Sequence, residues 1–388
     1  MPKIEFYPKK TKLLIVVKSI DGGTGTYVLQ LLQMKRVDIV VCVLEKPSFR
    51  IINPKFNRFF RFLHEKNHYP EKYDLSFKLV YDFIKEIMWV NQEINHHHAQ
   101  IILGVDIHAN LIIQILKIFG FRTIKTILTT HIDIFKTLGE KSSKFISTII
   151  RFLISFFYGK ADVLITPSSE LSKDMSNKFK ISKKILSISY GIRPYQKRQS
   201  NYSAKLENTI ISVGRLTEQK DFDNLINAFI KVNQTIPNSQ LLIVGDGLKR
   251  DLLQQTTNKT KCADKVKFVG WKQNVIPYLN SADVFVLSSN REGFSWVLLE
   301  AMSVGLPVIA TDVSYGPREI LDYGKYGFLV PPNNTLIMSS QIIKLLKKPT
   351  LYQKMAHKAF KRSLFYSERE MISQYQQLIT KLVRNDNV

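Results

Sequence analysis

The chain has 388 residues, 45% hydrophobic and 23% charged, which excludes a disordered tail or a collagen-like polymer and allows two ordinary domains. Its 56 Lys+Arg against 32 Asp+Glu give a formal charge of +24, and residues 1–200 hold 32 of the bases but only 16 of the acids. That asymmetry predicts an anionic contact for the first half, whether nucleic acid, phospholipid or a phosphorylated substrate.

Cys42 and Cys262 are too few for a disulfide scaffold and spaced wrongly for a zinc cluster, and they fit a reducing, cytoplasmic compartment. The apolar run Leu13–Val17 is too short for a signal peptide and stops at Lys18. No stretch of about 18 uncharged apolar residues predicts a transmembrane helix, so the chain is expected to be soluble or to lie on a membrane without crossing it.

Short β-branched runs alternate with longer helical patterns. Strands are predicted at Lys12–Ser19, Asp38–Leu44, Gln100–Val105, Thr123–Thr130, Asp162–Thr166 and Ile185–Ser189, with helices such as Tyr27–Met34 and Lys141–Phe157 between them. The polar, basic stretch GIRPYQKRQSNYSAKLENT reads as a linker. Strands resume at Thr209–Val213, Gln240–Val244, Lys265–Val269, Asp283–Leu287, Pro307–Ala310 and Phe328–Val330. Alternating βαβα units imply an α/β protein with a doubly wound parallel sheet in each half. Ligands of such sheets bind beyond the carboxyl ends of the strands, so functional residues are expected just after strands, on an edge the two halves share.

Three such places stand out. DGGTGTY follows the first strand; Gly22, Gly23 and Gly25 permit a sharp turn and close backbone approach to an anion, although a purely structural turn fits as well. The spacing matches neither a dinucleotide fingerprint nor a P-loop. Arg215 and Lys220 flank a helix start after Thr209–Val213, where a fork and a point charge suit a diphosphate. Asp221 and Asp223 form a D-x-D pair, but at a helix start acids cap amides, and no metal is expected. The third is EGFSWVLLE, which places Glu292 and Glu300 eight residues apart. On one helix they would stand about 12 Å apart, too far for a hydrolase pair. They suit two hydroxyl-rich parts of one extended ligand, and Glu300, among Leu298, Leu299, Ala301 and Met302, requires a partner.

The segments VGRLTEQKDFDNLINAF, LLIVGDG, VKFVGWKQNVIPYLNSADVFVLSS and EGFSWVLLEAMSVGLPVIATD, in that order over about residues 209–335, resemble the nucleotide-sugar-binding domain of glycosyltransferase family 4. These are retaining enzymes of the GT-B fold, two Rossmann-like domains facing each other across a cleft. The first half resembles the family more loosely, through the glycine turn, VDIHANLI and ILTTHIDIF. The TDVSYGPREIL stretch is similar to that of bacterial envelope-polysaccharide transferases. The implied division is an acceptor-side domain over 1–200, a donor domain over 201–365 and a helix over about 366–388 crossing back.

The resemblance assigns Arg215 and Lys220 to the donor diphosphate, with the Gly22-Gly23 backbone approaching it from the other domain. Glu292 contacts the transferred sugar, with the amides of Phe294 and Ser295. Glu300 accepts from the ribose hydroxyls, and backbone near Gly245 and Trp271 faces the base. His131 matches a histidine beside the reaction centre, and His108 lies on another histidine-bearing loop. The Ser295-Trp296 pair departs from the Gly followed by a smaller or aliphatic residue of many family members, which bears on the sugar pocket. His96-His97-His98 reads as an exposed loop and not a metal site.

The implied reaction transfers a hexose or N-acetylhexosamine from a nucleoside-diphosphate donor, with UDP favoured, to a glycan or lipid-linked acceptor, without metal or cofactor. Residues 50–66 and 141–160, basic and aromatic, suit an anionic membrane surface, although a core-facing helix fits the second equally. The implied location is cytoplasmic, with the inner face of the membrane as docking surface. Two other readings are a different GT-B enzyme, such as an epimerase or phosphorylase, and a nucleic-acid-binding protein; no nucleic-acid motif accompanies the charge. Arg215→Ala and Lys220→Ala are each expected to lower turnover strongly and leave folding intact.

Overall fold

The computed structural model describes residues 10–20, 22–45, 54–64, 77–120, 123–131, 148, 152, 155–179, 185–193, 195 and 208–384. The chain forms two compact units, residues 1–188 with 369–388, and residues 189–368.

In the first unit, β1 (Thr11–Val17), β2 (Val37–Glu45), β3 (Phe60–His64), β4 (Ile101–Gly104), β5 (Lys125–Thr129), β6 (Val163–Thr166) and β7 (Ile185–Ser187) make one sheet in the order β3-β2-β1-β4-β5-β6-β7. Every pairing is parallel. β4 and β6 are buried along their whole length, which explains their unbroken apolar runs. Asp106 ties the end of β1 to the helix Ile107–Phe119: its carboxylate accepts from the backbone of Lys18 at 2.6 Å and of Ala109 at 2.9 Å.

The second unit repeats the grammar with β8 (Thr209–Val213), β9 (Gln240–Val244), β10 (Val266–Gly270), β11 (Val284–Leu287), β12 (Val308–Thr311) and β13 (Phe328–Val330), ordered β10-β9-β8-β11-β12-β13. One face is covered by the helices Phe222–Thr235 and Thr335–Lys347, which bury Phe222, Leu225, Phe229 and Ile342. The other face is covered by Trp296–Ser303 and Pro349–Ser363, which bury Leu298, Leu299, Met302 and Ala359. Burying each Leu or Phe contributes roughly 1.5–3 kcal/mol. In both sheets the strand order reverses between two neighbours, β1 and β4 in the first and β8 and β11 in the second. There the outgoing loops diverge and leave room for a ligand.

Three local expectations change. β3 was not foreseen: Phe60 and Phe62 alternate with Arg61, and the strand pairs with β2 at the sheet edge, where a charged residue is ordinary. His96 and His97 end the helix Phe77–His97 and are no loop; His97 lies 3.2 Å from Glu93 one turn back. The helix after β1 starts at Gly23, directly behind the turn. The predicted helix Lys141–Phe157 lies largely outside the described residues. No helix among the described residues is long and apolar enough to cross a membrane.

Candidate functional site

At the reversal point of the second sheet, the chain leaves β8 through Gly214 and Arg215 and makes a single turn over Glu218–Lys220. Asp221 follows in the left-handed conformation, φ 47°, and caps the next helix by accepting from Asn224 N at 3.3 Å. The capping role read from the sequence is the one observed. Desolvation raises the Asp221 carboxyl above its ordinary pKa. Asp223 instead accepts from Lys249 at 2.5 Å.

The loop after β11 is fastened to this turn. Asn290 N donates to Gln219 O at 2.9 Å, and Gln219 Nε2 donates to Arg291 O at 3.0 Å. Ser288 Oγ donates to Lys220 O at 2.7 Å. Within that frame Lys220 Nζ donates to Glu292 Oε1 at 2.6 Å, and Ser289 Oγ donates to the same oxygen at 2.7 Å. The side chains are 15% and 6% exposed, so the pair is largely withdrawn from water. The Lys220 stem passes over Gly214, where an added Cβ would meet it at 3.4 Å. An ammonium has three N–H donors, and the carboxylate occupies one.

Arg215 is not drawn into this pair. It is exposed, and its guanidinium has no hydrogen bond or ion pair among the described residues. Gly245, φ 144°, is required by packing: a Cβ there would sit 1.9 Å from the carbonyl oxygen of Gly214. Trp271, at the end of β10, is 46% exposed. Phe294 is buried edge-on between Tyr190 and Tyr366, and Ser295 is buried with its hydroxyl unpaired. Trp296 lies against Tyr190 at 4.9 Å, so the unusual residue is absorbed by an aromatic cluster. Glu300, the fifth residue of the helix Trp296–Ser303, accepts from Ser303 Oγ at its backbone oxygen at 2.7 Å, and its carboxylate has no hydrogen-bond or ion-pair partner among the described residues. Burial pushes its carboxyl up to about 7.

In the first unit, Gly22 has φ 61° and ψ −137°, a conformation open to glycine alone. A Cβ on Gly22 or Gly23 would meet nothing within 4 Å, whereas one on Gly25 would meet Ile20 O at 2.0 Å. Packing therefore explains Gly25 and leaves Gly23 unexplained. His131 follows β5, its Nε2 3.1 Å from Thr129 Oγ1 and its ring edge-on to Tyr27 at 5.0 Å. Desolvation pushes the imidazole down to about 4 against a hydrogen bond to the Val105 backbone. His108 pairs with the buried Glu86 at 2.6 Å, a contact inside its own unit.

Sequence reasoning missed Ser288, Ser289 and Gln219, which position Lys220 and Glu292. Their signal was their place after β11 and inside the 218–220 turn. It also missed Tyr27 and Tyr375, whose hydroxyls bond one another although 348 residues separate them.

Residues 195–362 match the family described as glycosyl transferases group 1. Among curated relatives, an uncharacterized glycosyltransferase of Methanocaldococcus jannaschii is 35% identical over 209 residues, 48% of this chain. That stretch spans about half, 52%, of the relative's length. The N-acetylgalactosamine-N,N'-diacetylbacillosaminyl-diphospho-undecaprenol 4-alpha-N-acetylgalactosaminyltransferase of Campylobacter jejuni is 30% identical, over 57% of this chain and 60% of its own. In fold, the chain is similar to Anabaena HepE, solved with UDP-glucose, with TM-score 0.78 at 18% identity over 95% of this chain and 99% of that one. Residues 195–362 are thus similar to the glycosyl transferases group 1, in a chain with the GT-B fold.

Proposed function

We propose that the chain is a retaining glycosyltransferase that moves a hexose or N-acetylhexosamine from a UDP-sugar to a hydroxyl of a glycan or lipid-linked acceptor in envelope polysaccharide synthesis. The observation that carries this reading is the Lys220–Glu292 pair at the β8/β11 reversal point, with the unpaired Arg215 guanidinium on the same loop. Breaking the sugar–phosphate bond leaves negative charge on the departing diphosphate. Lys220 and Arg215 stabilise that charge more in the transition state than in the ground state, because it is larger there. Two side-chain cations take the place a metal ion fills in other transferases.

Glu292 is assigned to the transferred sugar, with the amides of Phe294 and Ser295, and its bond to Lys220 fixes its orientation. Glu300, desolvated and without a partner, is assigned to the ribose hydroxyls, whose two donors supply what its carboxylate lacks. Gly245 and Trp271 are assigned to the base. Gly22, Gly23 and His131 of the first unit are assigned to the diphosphate and the sugar by family resemblance. UDP is favoured because HepE was solved with UDP-glucose, and a lipid-linked acceptor because the Campylobacter relative is named for one.

The first unit is assigned to the acceptor and to an anionic membrane surface. Its helix Phe77–His97 exposes Tyr81, Ile84 and Met88, and these line an apolar cavity of about 320 Å³ with Leu63, Lys85 and Trp89. Apolar side chains rimmed by lysine suit a lipid interface. The test is acceptor-dependent release of UDP from UDP-sugars in the presence of a chelator, after thermal-shift screening of UDP, GDP and ADP. Release without an acceptor, or none with any donor, rejects the reading.

A further inference from the structure

We propose that Lys249 is a positioning residue for the turn that carries Arg215 and Lys220: from the neighbouring strand end it holds Glu218 and Asp223, so that neither acid competes for the two cations. This role rests on the reading that the turn takes a diphosphate.

The charges of the turn call for such a residue. Residues 215–223 hold two cations, Arg215 and Lys220, against three acids, Glu218, Asp221 and Asp223. Glu292 joins Lys220 as a fourth acid. A diphosphate brought to this place meets an excess of negative charge unless the acids are occupied. Asp221 is occupied as the cap of the helix Phe222–Thr235. Glu218 and Asp223 both pair with Lys249, whose ammonium lies 3.0 Å from one and 2.5 Å from the other. With both acids held, the Arg215 guanidinium is left without an ion pair among the described residues, although Glu218 is three residues away.

The backbone fixes Lys249 in this position. Its N–H donates to Leu216 O at 2.9 Å, and Leu216 N donates to Asp246 O at 2.9 Å, so the loops after β8 and β9 are joined on both sides of Leu216. Leu216 is fully buried, and a Cβ on Gly247 would stand 2.6 Å from its carbonyl oxygen, which sets how closely the two loops approach. The loop after β11 holds the turn through Gln219 and Lys220; the loop after β9 holds it through Leu216 and Glu218. The Lys249 side chain is 15% exposed. Desolvation opposes its charge, but the bonds to Asp223 and Glu218 outweigh that and hold its pKa above the ordinary value.

The test is calorimetric binding of uridine and UDP to the full chain with Lys249→Met, Lys249→Arg and Lys249→Met/Glu218→Gln/Asp223→Asn. UDP binding is expected to weaken about five- to tenfold in Lys249→Met while uridine stays within about twofold, because the released acids repel only the phosphates. The deficit is expected to shrink between about 50 and 500 mM salt, where exposed charges are screened. Lys249→Arg is expected to bind UDP as the wild type does. The triple variant is expected to recover the loss, because a turn without those acids needs no ammonium to hold them. Glu218→Gln/Asp223→Asn with Lys249 kept is expected to bind UDP at least as tightly as the wild type; weaker binding overturns the role. A folded triple variant as weak as Lys249→Met also overturns it, since Lys249 would then meet the phosphates directly. A wild type that binds UDP no better than uridine overturns the diphosphate reading and this role with it. A wild-type gain shared equally by Lys249→Met overturns the role alone.

Discussion

Lys220 Nζ and Glu292 Oε1 stand 2.6 Å apart across 72 residues of sequence, joined because β8 and β11 are neighbours where the sheet order reverses. The pair is largely buried, which separates the two cations in what their removal does. Lys220→Ala leaves the Glu292 carboxylate desolvated and uncompensated, at a cost of about 3 kcal/mol. Arg215 is exposed, and its loss leaves stability within about 0.5 kcal/mol. Only Arg215→Ala therefore matches the sequence-based expectation of intact folding. Both substitutions are expected to lower kcat about 10²-fold or more. Urea unfolding with kinetics checks this, and Glu292→Gln added to Lys220→Ala is expected to recover stability without activity.

Glu300 introduces a pH dependence of known sign. Its carboxyl titrates near 7 folded, against an ordinary 4.5. A raised carboxylate pKa means the folded state holds a proton the unfolded state has lost. Stability is therefore greatest below about pH 4.5 on this account, falls as pH rises to 7, and is lower beyond by up to about 3 kcal/mol. Glu300→Gln is expected to raise Tm at pH 8 and leave it nearly unchanged at pH 4. Ribose hydroxyls prefer the ionised carboxylate, so wild-type UDP affinity is expected to rise with pH through 7 and the Gln variant's to stay flat. Calorimetry in two buffers of different ionisation enthalpy would show the proton released on binding.

His131, at about 4, stays neutral through the working range. Its titration is expected to be absent from the kcat profile between pH 5 and 8, and any acid limb there to vanish in Glu300→Gln. An acid limb that persists in Glu300→Gln and disappears in His131→Asn reverses the assignment.

The glycines divide by what surrounds them. Gly25→Ala and Gly245→Ala force a Cβ to about 2 Å from a carbonyl oxygen and are expected to lower Tm by several degrees. Gly23→Ala meets open space, so its Tm is expected to hold while donor KM rises several-fold.

Much of this was legible in the amino acids. β8, β9 and β13 begin and end where periodicity placed them, because strands buried on both faces are written as unbroken apolar runs. β3 was not legible, since an edge strand with one wet face carries arginine without penalty. Arg215, Lys220 and Glu292 were singled out because they follow strand ends, and Glu300 because it is a carboxylate on an otherwise apolar helix turn. Ser289 and Tyr375 were not: serine after a strand is common, and a tyrosine on a helix shows nothing of a hydroxyl partner 348 residues away. Gly245 was read as facing a base, but its backbone first meets Gly214. Only three-dimensional proximity separates those two demands.

Membrane docking gives a separable outcome. Tyr81, Ile84 and Met88 are 68%, 50% and 60% exposed, so Ile84→Glu and Met88→Glu are expected to leave Tm unchanged. Both are expected to reduce co-flotation with anionic liposomes several-fold. Wild-type protein that floats with neither anionic nor neutral vesicles rejects a membrane role and leaves the transferase reading standing.

The most direct measurement is calorimetric binding of uridine, UMP and UDP to the wild type, Arg215→Ala and folded Lys220→Ala/Glu292→Gln. The second phosphate is expected to tighten wild-type binding at least about tenfold over UMP, roughly 1.4 kcal/mol, and to give no such gain when either cation is missing. An equal UDP-over-UMP advantage in all three proteins contradicts a diphosphate held by Arg215 and Lys220.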